Sequence, residues 1–420
     1  MQRLYILSIA LLIAVMSFSV TIAQENENIL DPFSQSKFVP DIAVIVDTSY
    51  VYNSLKDASH YERPGFIHHH EESDHHNEHG LNQNDGFNFN YAEISFYAPV
   101  DPYFDMFAVL HAGLDGAEIE EAYFTTQQLP FGFKIKGGKF LSSIGRINDR
   151  HAHYWDFADL PLIYQAFFGS QLNEIGVQIN WLSPLPFYFL AACEILKGEN
   201  EASFGTEGFE FESGAPYPAV EDALYPNVYT SFIKTSFDIG YFTVLLGASG
   251  IYGKTRINHG ITDPNGGHAF YGTTYMAGAD LTLRYDFSSY QYIALQSEYL
   301  YRHKKGNMYE YDSTTTTKED FSAKQSGLYS QLVIRTGQLT RIGLRYDLLA
   351  QNDLGNSTNL KENLPRYTAM LEYNPTEFSR FRLQYSYDKT LYDESDSNKV
   401  NHQIIFQCNL SIGAHGAHSF

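Results

Sequence analysis

Apolar and polar residues alternate along most of this chain, and the stretch near its end shows the pattern best. Between Val400 and Ile412 the even positions are mostly apolar and the odd positions are mostly polar. Because successive side chains of a β-strand point to opposite faces, this alternation predicts a strand with one apolar and one polar face. Similar stretches recur from Asp41 onward. The chain is therefore predicted to be all-β.

Strand signals along the chain predict about sixteen strands, and about fourteen to eighteen are compatible with the pattern. The predicted strands begin near Asp41, Gly86, Tyr103, Ala117, Phe131, Leu172, Phe187, Asn227, Tyr241, Tyr271, Tyr290, Ser322, Gln338, Pro365, Phe378 and Val400. Even-numbered connections are short. Most odd-numbered ones are long and polar, including residues 54–85, 142–171, 197–226 and 304–321. Short turns at one rim and long loops at the other are typical of a transmembrane antiparallel β-barrel, with periplasmic turns and extracellular loops.

The chain begins with features of a secretory signal peptide, predicted over residues 1–23. Arg3 is followed by a mostly apolar stretch from Leu4 to Val20 and by small residues before Gln24. An uncleaved membrane anchor is the alternative. Residues 24–40 are then a short periplasmic segment and residues 41–420 the barrel, located in the outer membrane of a Gram-negative bacterium. A soluble array of β-sandwiches is the alternative to a barrel.

Charged side chains alternate with apolar ones in several strands. Since an Arg or Lys that faces lipid at mid-depth costs about 2–4 kcal/mol, these side chains are predicted to face a water-filled lumen. The predicted pore-lining residues are Lys134, Lys136, Arg284, Glu298, Arg341, Arg345, Asp347, Glu372, Arg380, Arg382 and Asp388. The charges of these residues are expected either to form an electric field across the pore or to pair across neighbouring strands. The net charge of −21 disfavours nucleic acid as a partner and favours attraction of cations.

A histidine-rich stretch in the connection 53–85 is the sharpest local signal. Residues 68–79 hold six of the sixteen histidines, mixed with carboxylates. The candidate metal ligands are His68, His69, His70, Glu71, Glu72, Asp74, His75, His76, Glu78 and His79. Imidazole and carboxylate groups bind Zn²⁺ and other divalent transition metals, so a metal-gathering extracellular loop is predicted. The alternative is a solvated loop whose histidines only titrate.

The connection 142–171 holds a second cluster, with His151 and His153 as candidate metal ligands or, as the alternative, as hydrogen-bonding groups at the rim. Its residues 160–168 are too apolar for a loop left in water. The connection is therefore predicted to fold into the lumen and narrow it, or else to pack under another loop. His415 and His418 are further weak candidates for a metal site.

Motifs of catalysis are lacking, since the chain has no nucleophile elbow, no zinc-protease helix motif and no phosphate-binding glycine loop before a helix. The chain is therefore predicted not to be an enzyme and to require no cofactor beyond a divalent metal in the loop. Its terminal aromatic, Phe420, resembles the recognition signal read by the barrel-assembly machinery of outer-membrane proteins.

The run from Gly137 to Gly145 reads Gly-Gly-Lys-Phe-Leu-Ser-Ser-Ile-Gly and resembles a motif of phosphate-selective-type porins. This resemblance implies a porin-like barrel over most of residues 41–420. Those porins line their channels with a basic ladder, and this acidic chain with few lysines departs from them, so phosphate selectivity is not implied. The His-rich loop and His-bearing end also resemble predicted outer-membrane proteins thought to respond to zinc. Because residues 24–40 are too few for a plug domain, passive transport is expected.

The function predicted from these features is a porin-like outer-membrane channel for passive passage of small solutes. It would favour cations and would aid divalent metal uptake, zinc in particular, through its external loop. The alternative is a non-conducting outer-membrane protein that binds metal or a surface partner. The expected partners are the outer-membrane lipid bilayer, the assembly machinery, small ions or solutes and, in a homotrimer, two further copies of the chain.

Overall fold

The computed structural model describes residues 40–56, 63, 81–114, 116–263, 267–312, 314–353, 363–393 and 397–413. Several predictions fall outside these residues: the signal peptide, nearly all of segment 24–40, the His-rich residues 68–79, His415, His418 and Phe420. They remain predictions.

Sixteen strands close into an antiparallel barrel in which β1 pairs with β16. The first eight are β1 (Asp41–Asn53), β2 (Gly86–Pro99), β3 (Phe104–Ala112), β4 (Ala117–Thr126), β5 (Phe133–Leu141), β6 (Asn173–Leu182), β7 (Tyr188–Leu196) and β8 (Val228–Ile239). The others are β9 (Phe242–His259), β10 (Gly267–Ser288), β11 (Gln291–Tyr311), β12 (Thr316–Arg335), β13 (Thr340–Asp353), β14 (Leu364–Thr376), β15 (Ser379–Tyr392) and β16 (Asn398–Gly413). Every strand pairs with its neighbours in sequence, so the barrel is an up-and-down meander.

The alternation seen in the sequence separates the two faces of the wall. In β16 the side chains of Ile404, Phe406 and Leu410 are 42–49% exposed and face outward. Asn409 and Ser411, on the other face, are at most 3% exposed. An outer surface of exposed apolar residues around a polar interior is the arrangement that a lipid bilayer requires of a closed barrel.

Fourteen of the sixteen strands begin within two residues of their predicted positions, and β10 and β12 begin earlier. The prediction of a long loop over 304–321 is wrong, because β11 continues to Tyr311 and β12 begins at Thr316. Only residues 312–315 connect the two strands. Both faces of this hairpin carry polar residues, so its sequence lacks the apolar face by which the other strands are detected.

Strand length divides the barrel into two parts. Strands β3, β5 and β7 have 9 residues each, whereas β9 to β12 have 18–22. At about 3.3 Å per residue and a tilt of about 40°, nine residues span about 23 Å, close to the apolar band of such barrels. Strands β9 to β12 therefore continue well beyond the band on the extracellular side.

Among the described residues, helical structure is confined to short elements in the connections, namely the 3-10 turns Pro130–Gly132 and Ala152–Tyr154 and the helix α1 (Leu162–Phe168). Within the described ranges no helix combines the length and apolar character needed to cross a membrane.

Candidate functional site

Residues 142–171, called the inner segment from here on, fold into the barrel. Helix α1 within it has six of its seven side chains buried and packs against β12 and β13. A Cβ on Gly327 of β12 would lie 2.6 Å from Ile163 Cγ2, so the absence of a side chain there makes room for the helix. The helix ends at Gly169, whose φ of 72° favours glycine and whose N–H donates to the Gln165 carbonyl.

Asp159 joins the inner segment to the wall formed by β13, β14 and β15. Its carboxylate lies 2.9 Å from Arg345 Nη2 and 2.8 Å from Arg366 Nη1. Gln384 Nε2 donates to the same carboxylate at 2.7 Å. Burial alone would raise the pKa of Asp159, but the two guanidinium groups lower it to about 2. The carboxylate is therefore ionised at any pH near neutrality.

The same wall also binds the backbone of the inner segment. Arg382 Nη2 donates to the Trp155 carbonyl at 2.8 Å. Arg380 Nη1 donates to the His153 carbonyl at 2.7 Å. In the other direction, the N–H of Leu162 donates to the carboxylate of Asp347 at 2.9 Å. These bonds satisfy peptide groups that would otherwise be buried without partners.

Two arginines of this wall, Arg341 and Arg382, pair with a carboxylate on the strand between them. Glu372 lies 3.1 Å from Arg341 and 2.6 Å from Arg382. Arg341 also pairs with Asp156 of the inner segment. Of the two alternatives for these charges, a transverse field or pairs across neighbouring strands, the structure shows pairs at these positions.

The strand register places all eleven predicted pore-lining residues on the inner face of the wall. Lys134 and Arg284 are exposed, and Lys136 and Arg341 are partly exposed. The remainder are buried by the inner segment or by their neighbours: Glu298, Arg345, Asp347, Glu372, Arg380, Arg382 and Asp388. The first four are thus the lining candidates that meet water directly.

A second polar cluster joins the inner segment to β2 and β4. His151 Nδ1 lies 3.2 Å from Glu120 Oε2, and His151 Nε2 lies 2.8 Å from Glu121 Oε2. His153 Nδ1 lies 3.2 Å from Glu93 Oε2. The structure thus brings two weakly predicted metal ligands together with three glutamates. We call these five residues the imidazole–carboxylate cluster.

A β-bulge in β4 gives this cluster its two adjacent glutamates. Val109 pairs with Glu121 and Leu110 pairs with Ile119, which leaves Glu120 as the extra residue. In a regular strand, consecutive side chains point to opposite faces. The bulge redirects one of them, so that Glu120 and Glu121 both reach His151.

The environment of His151 favours a positive charge. Burial alone would lower the pKa of His151, but the Glu120 carboxylate and hydrogen bonds to Glu120 and Glu121 raise it well above its usual value. A cation at this place, whether a proton or a metal ion, is therefore stabilised by carboxylates.

Glu298, a buried carboxylate on β11, contacts three residues of the inner segment. Tyr164 Oη donates to Glu298 at 2.6 Å, and the Arg146 N–H donates at 3.3 Å. Gly145 lies against the same carboxylate with a φ of 58°, and a Cβ there would lie 1.8 Å from Glu298 Oε1. The glycine that ends the run from Gly137 is thus required by a close approach as well as by its backbone conformation.

Sequence reasoning missed Glu93, Glu120 and Glu121 as partners of the two histidines. The only available signal was a pair of adjacent carboxylates inside a predicted strand, one of which would otherwise face lipid. That signal indicates an irregularity in the strand but does not identify the group that the carboxylates contact.

Comparison with known proteins gives one clear relative in sequence. No family model matches the chain. An uncharacterized protein of Aquifex aeolicus (strain VF5) is 47% identical over 397 residues, which cover 93% of this chain and 82% of that protein.

Solved structures with the same fold are outer-membrane proteins of low sequence identity. The outer-membrane channel DcaP of Acinetobacter baumannii matches with a TM-score of 0.56 at 12% identity, over 90% of this chain and 99% of that one. An anion-selective porin from Comamonas acidovorans matches with a TM-score of 0.52 at 12% identity, over 89% of this chain and 100% of that one. The predicted transmembrane antiparallel β-barrel is therefore confirmed, and this is a fold of the outer membrane of Gram-negative bacteria.

Proposed function

Because the chain belongs to the family of the uncharacterized Aquifex aeolicus protein and has the fold of outer-membrane porins, we propose that it is a passive channel that favours cations. Small solutes would diffuse through the barrel past the inner segment. The segment would set the width of the passage, because it lies inside the barrel and is held there by ion pairs and hydrogen bonds.

The observation that carries the cation preference is the charge of the connection between β7 and β8. Residues 197–227 contain seven acidic residues and one lysine, a net charge of 1 − 7 = −6. Six of the seven acidic side chains are exposed: Glu199, Glu201, Glu207, Glu210, Glu221 and Asp222. Acidic groups at a mouth raise the local concentration of cations. Four wall arginines oppose this effect little, since each already pairs with a carboxylate: Arg341, Arg345, Arg366 and Arg382.

Reversal potentials in planar bilayers under a salt gradient test this proposal. We expect discrete conductance steps and a reversal potential of the sign given by cation preference. Replacing Glu207, Glu210 and Glu221 by Gln should shift that potential toward zero, more so at low ionic strength because exposed charges are screened by salt. Discrete steps with anion preference would contradict the proposal.

Metal uptake is the finer part of the proposal. The imidazole and carboxylate groups of residues 68–79 would concentrate zinc or a similar divalent metal near the mouth. Deleting residues 68–79 should remove most of the heat of zinc binding in calorimetry. An unchanged isotherm would refute a role for this loop.

A non-conducting binding protein is the second candidate, and the dense packing of the inner segment favours it. Leu162, Ile163 and Tyr164 have no measurable exposure, so the part of the lumen that they occupy is filled. An absence of conductance steps from correctly folded protein would support this candidate.

Association into homotrimers and recognition of Phe420 by the assembly machinery are further proposals. Sedimentation of the folded protein in detergent tests the first, and the yield of folded barrel after removal of Phe420 tests the second.

A further inference from the structure

We propose that the imidazole–carboxylate cluster is a binding site for one divalent transition-metal ion, which fastens the inner segment to β2 and β4. The ligands are His151 Nδ1 and the Oε2 atoms of Glu93 and Glu120. This site is distinct from residues 68–79, and its existence does not depend on whether the barrel conducts.

The spacing of the donor atoms fits a small ion. One ligand atom each from Glu93, Glu120 and His151 lie within 4.8 Å of one another. His151 Nδ1 is 3.2 Å from Glu120 Oε2 and 3.9 Å from Glu93 Oε2. In tetrahedral zinc sites with bonds of about 2.0–2.1 Å, neighbouring ligand atoms are about 3.3 Å apart. A small closure of this triangle would give bonding distances.

A fourth donor and an orienting carboxylate complete the arrangement. His153 Nδ1 is 3.2 Å from Glu93 Oε2, so it adjoins the same space. Glu121 holds the other nitrogen of the His151 ring at 2.8 Å and accepts the Leu141 N–H at 2.7 Å through its second oxygen. A carboxylate on the remote nitrogen of a ligating histidine is the usual way in which proteins fix the orientation of that ring.

The charge of the cluster also calls for a cation. Glu93 and Glu121 are at most 5% exposed, and among the described residues no Lys or Arg forms an ion pair with either glutamate or with Glu120. Burying carboxylates without compensation costs several kcal/mol each. A divalent ion would compensate two of the three charges, whereas a single imidazolium compensates one.

An unsatisfied polar atom beside the cluster is independent support. Tyr91 precedes Glu93 by two residues on the same face of β2, is 2% exposed and packs edge-on against His111, which is the cross-strand partner of Glu93. In the described part of the chain its hydroxyl has no hydrogen-bond partner. A water molecule held beside the metal by the ligating carboxylates would supply one.

The test uses the full chain folded in detergent, with residues 68–79 deleted so that the external loop does not compete. Zinc content after dialysis is measured by elemental analysis, and Co²⁺ absorption reports the ligand geometry. We expect one tightly held zinc per chain and a Co²⁺ spectrum of four-coordinate type. His151→Phe, which keeps a ring of similar size, should lose both. His268→Phe is the matched control, because His268 lies outside the cluster. Its Nε2 is 2.9 Å from Nδ1 of another histidine, His259.

Glu121→Gln provides a second measurement in case His151→Phe does not fold, because it leaves all proposed ligands in place. Metal affinity should fall about ten- to hundredfold through loss of the orienting carboxylate. The proposal is overturned if the loop-deleted protein holds no zinc. That result would mean that an imidazolium, and not a metal ion, compensates the carboxylates. It is equally overturned if Glu121→Gln binds zinc with unchanged affinity or if His268→Phe loses as much zinc as His151→Phe.

Discussion

Replacing Asp159 by Asn should loosen the inner segment without disturbing the barrel. The substitution keeps the shape of the side chain and removes the charge that lies between Arg345 and Arg366. Among the described carboxylates, Asp347 alone would then pair with both guanidinium groups. Because the carboxylate is only 14% exposed and pairs with two nearly buried guanidinium groups, water can compensate its loss only in small part.

Two arguments give the free energy by which Asp159→Asn weakens the attachment of the inner segment. The pKa of Asp159 falls from 3.8 to about 2, and at 1.36 kcal/mol per pKa unit this is about 2 kcal/mol. Breaking a buried pair by removing one partner costs about 3–5 kcal/mol in other proteins. Even the smaller value raises the population of released inner segment about thirtyfold.

Trp155 provides the assay, since it lies on the inner segment, is 8% exposed and donates to the Arg150 carbonyl at 2.7 Å. We expect red-shifted emission and stronger quenching by acrylamide in Asp159→Asn, together with larger and noisier conductance steps. Asp149→Asn is the matched control. Asp149 is on the same segment, but its ion pair with Arg150 is long, at 3.9 Å. Equal fluorescence and conductance in wild type and Asp159→Asn would refute the role given to this carboxylate.

The same contact predicts an acid transition. Since the pKa of Asp159 is lowered in the folded state, its contribution is complete above its ordinary value of 3.8 and is lost as the pH falls toward about 2. Trp155 emission should therefore shift to the red within this window in wild type. A shift of the same size in Asp159→Asn would show that another group is responsible.

Three further substitutions test other parts of the structure. Gly145→Ala should destabilise the fold by about 1–3 kcal/mol in urea unfolding, because it combines a φ of 58° with a clash at Glu298. Gly214 also has a positive φ but has open space around it. An equal loss of stability in Gly214→Ala would contradict the role given to the clash. Glu372→Gln should lower the free energy of unfolding by about 3–5 kcal/mol, because it removes the carboxylate that pairs with Arg341 and Arg382. Asp286→Asn should have little effect, because Asp286 forms an exposed pair with Arg284. Equal losses of stability in the two variants would show that burial of the ion pair does not matter here. Leu344→Arg should cost about 2–4 kcal/mol on folding into vesicles, because Leu344 is 56% exposed on the lipid face. Leu339→Arg should be tolerated, because Leu339 lies in a turn between β12 and β13. A larger cost for Leu339→Arg than for Leu344→Arg would contradict the position given to the membrane.

The barrel could be predicted from the sequence because lipid outside and polar groups inside impose a period of two on each strand. Strand β16 shows this most clearly, since its outward and inward residues differ in polarity at nearly every position. The hairpin of β11 and β12 was missed at its tip for the same reason. Where both faces of a strand meet water, the period of two carries no information.

The candidate site could be predicted only in part. Alternation predicts that Arg345, Arg380 and Arg382 face inward, but each of them also donates to a backbone carbonyl of a segment more than 180 residues away in the chain. Local pattern does not encode such contacts. The pairing of His151 with Glu120 depends in addition on a bulge, whose position is set by the register of β3 and β4 and not by residue type.

The unequal strand lengths divide the extracellular side of the protein by how it is held together. On the side of β9 to β12, the wall above the membrane consists of ladder hydrogen bonds, whose amides should exchange slowly with solvent because opening them requires local unfolding of a hairpin. Between β7 and β8, in contrast, the extracellular part is the long connection of residues 197–227, whose backbone forms isolated hydrogen bonds such as those between Phe209 and Val220. Insertions of affinity tags and sites of limited proteolysis should therefore be tolerated in this connection and not in the hairpins of β9 to β12.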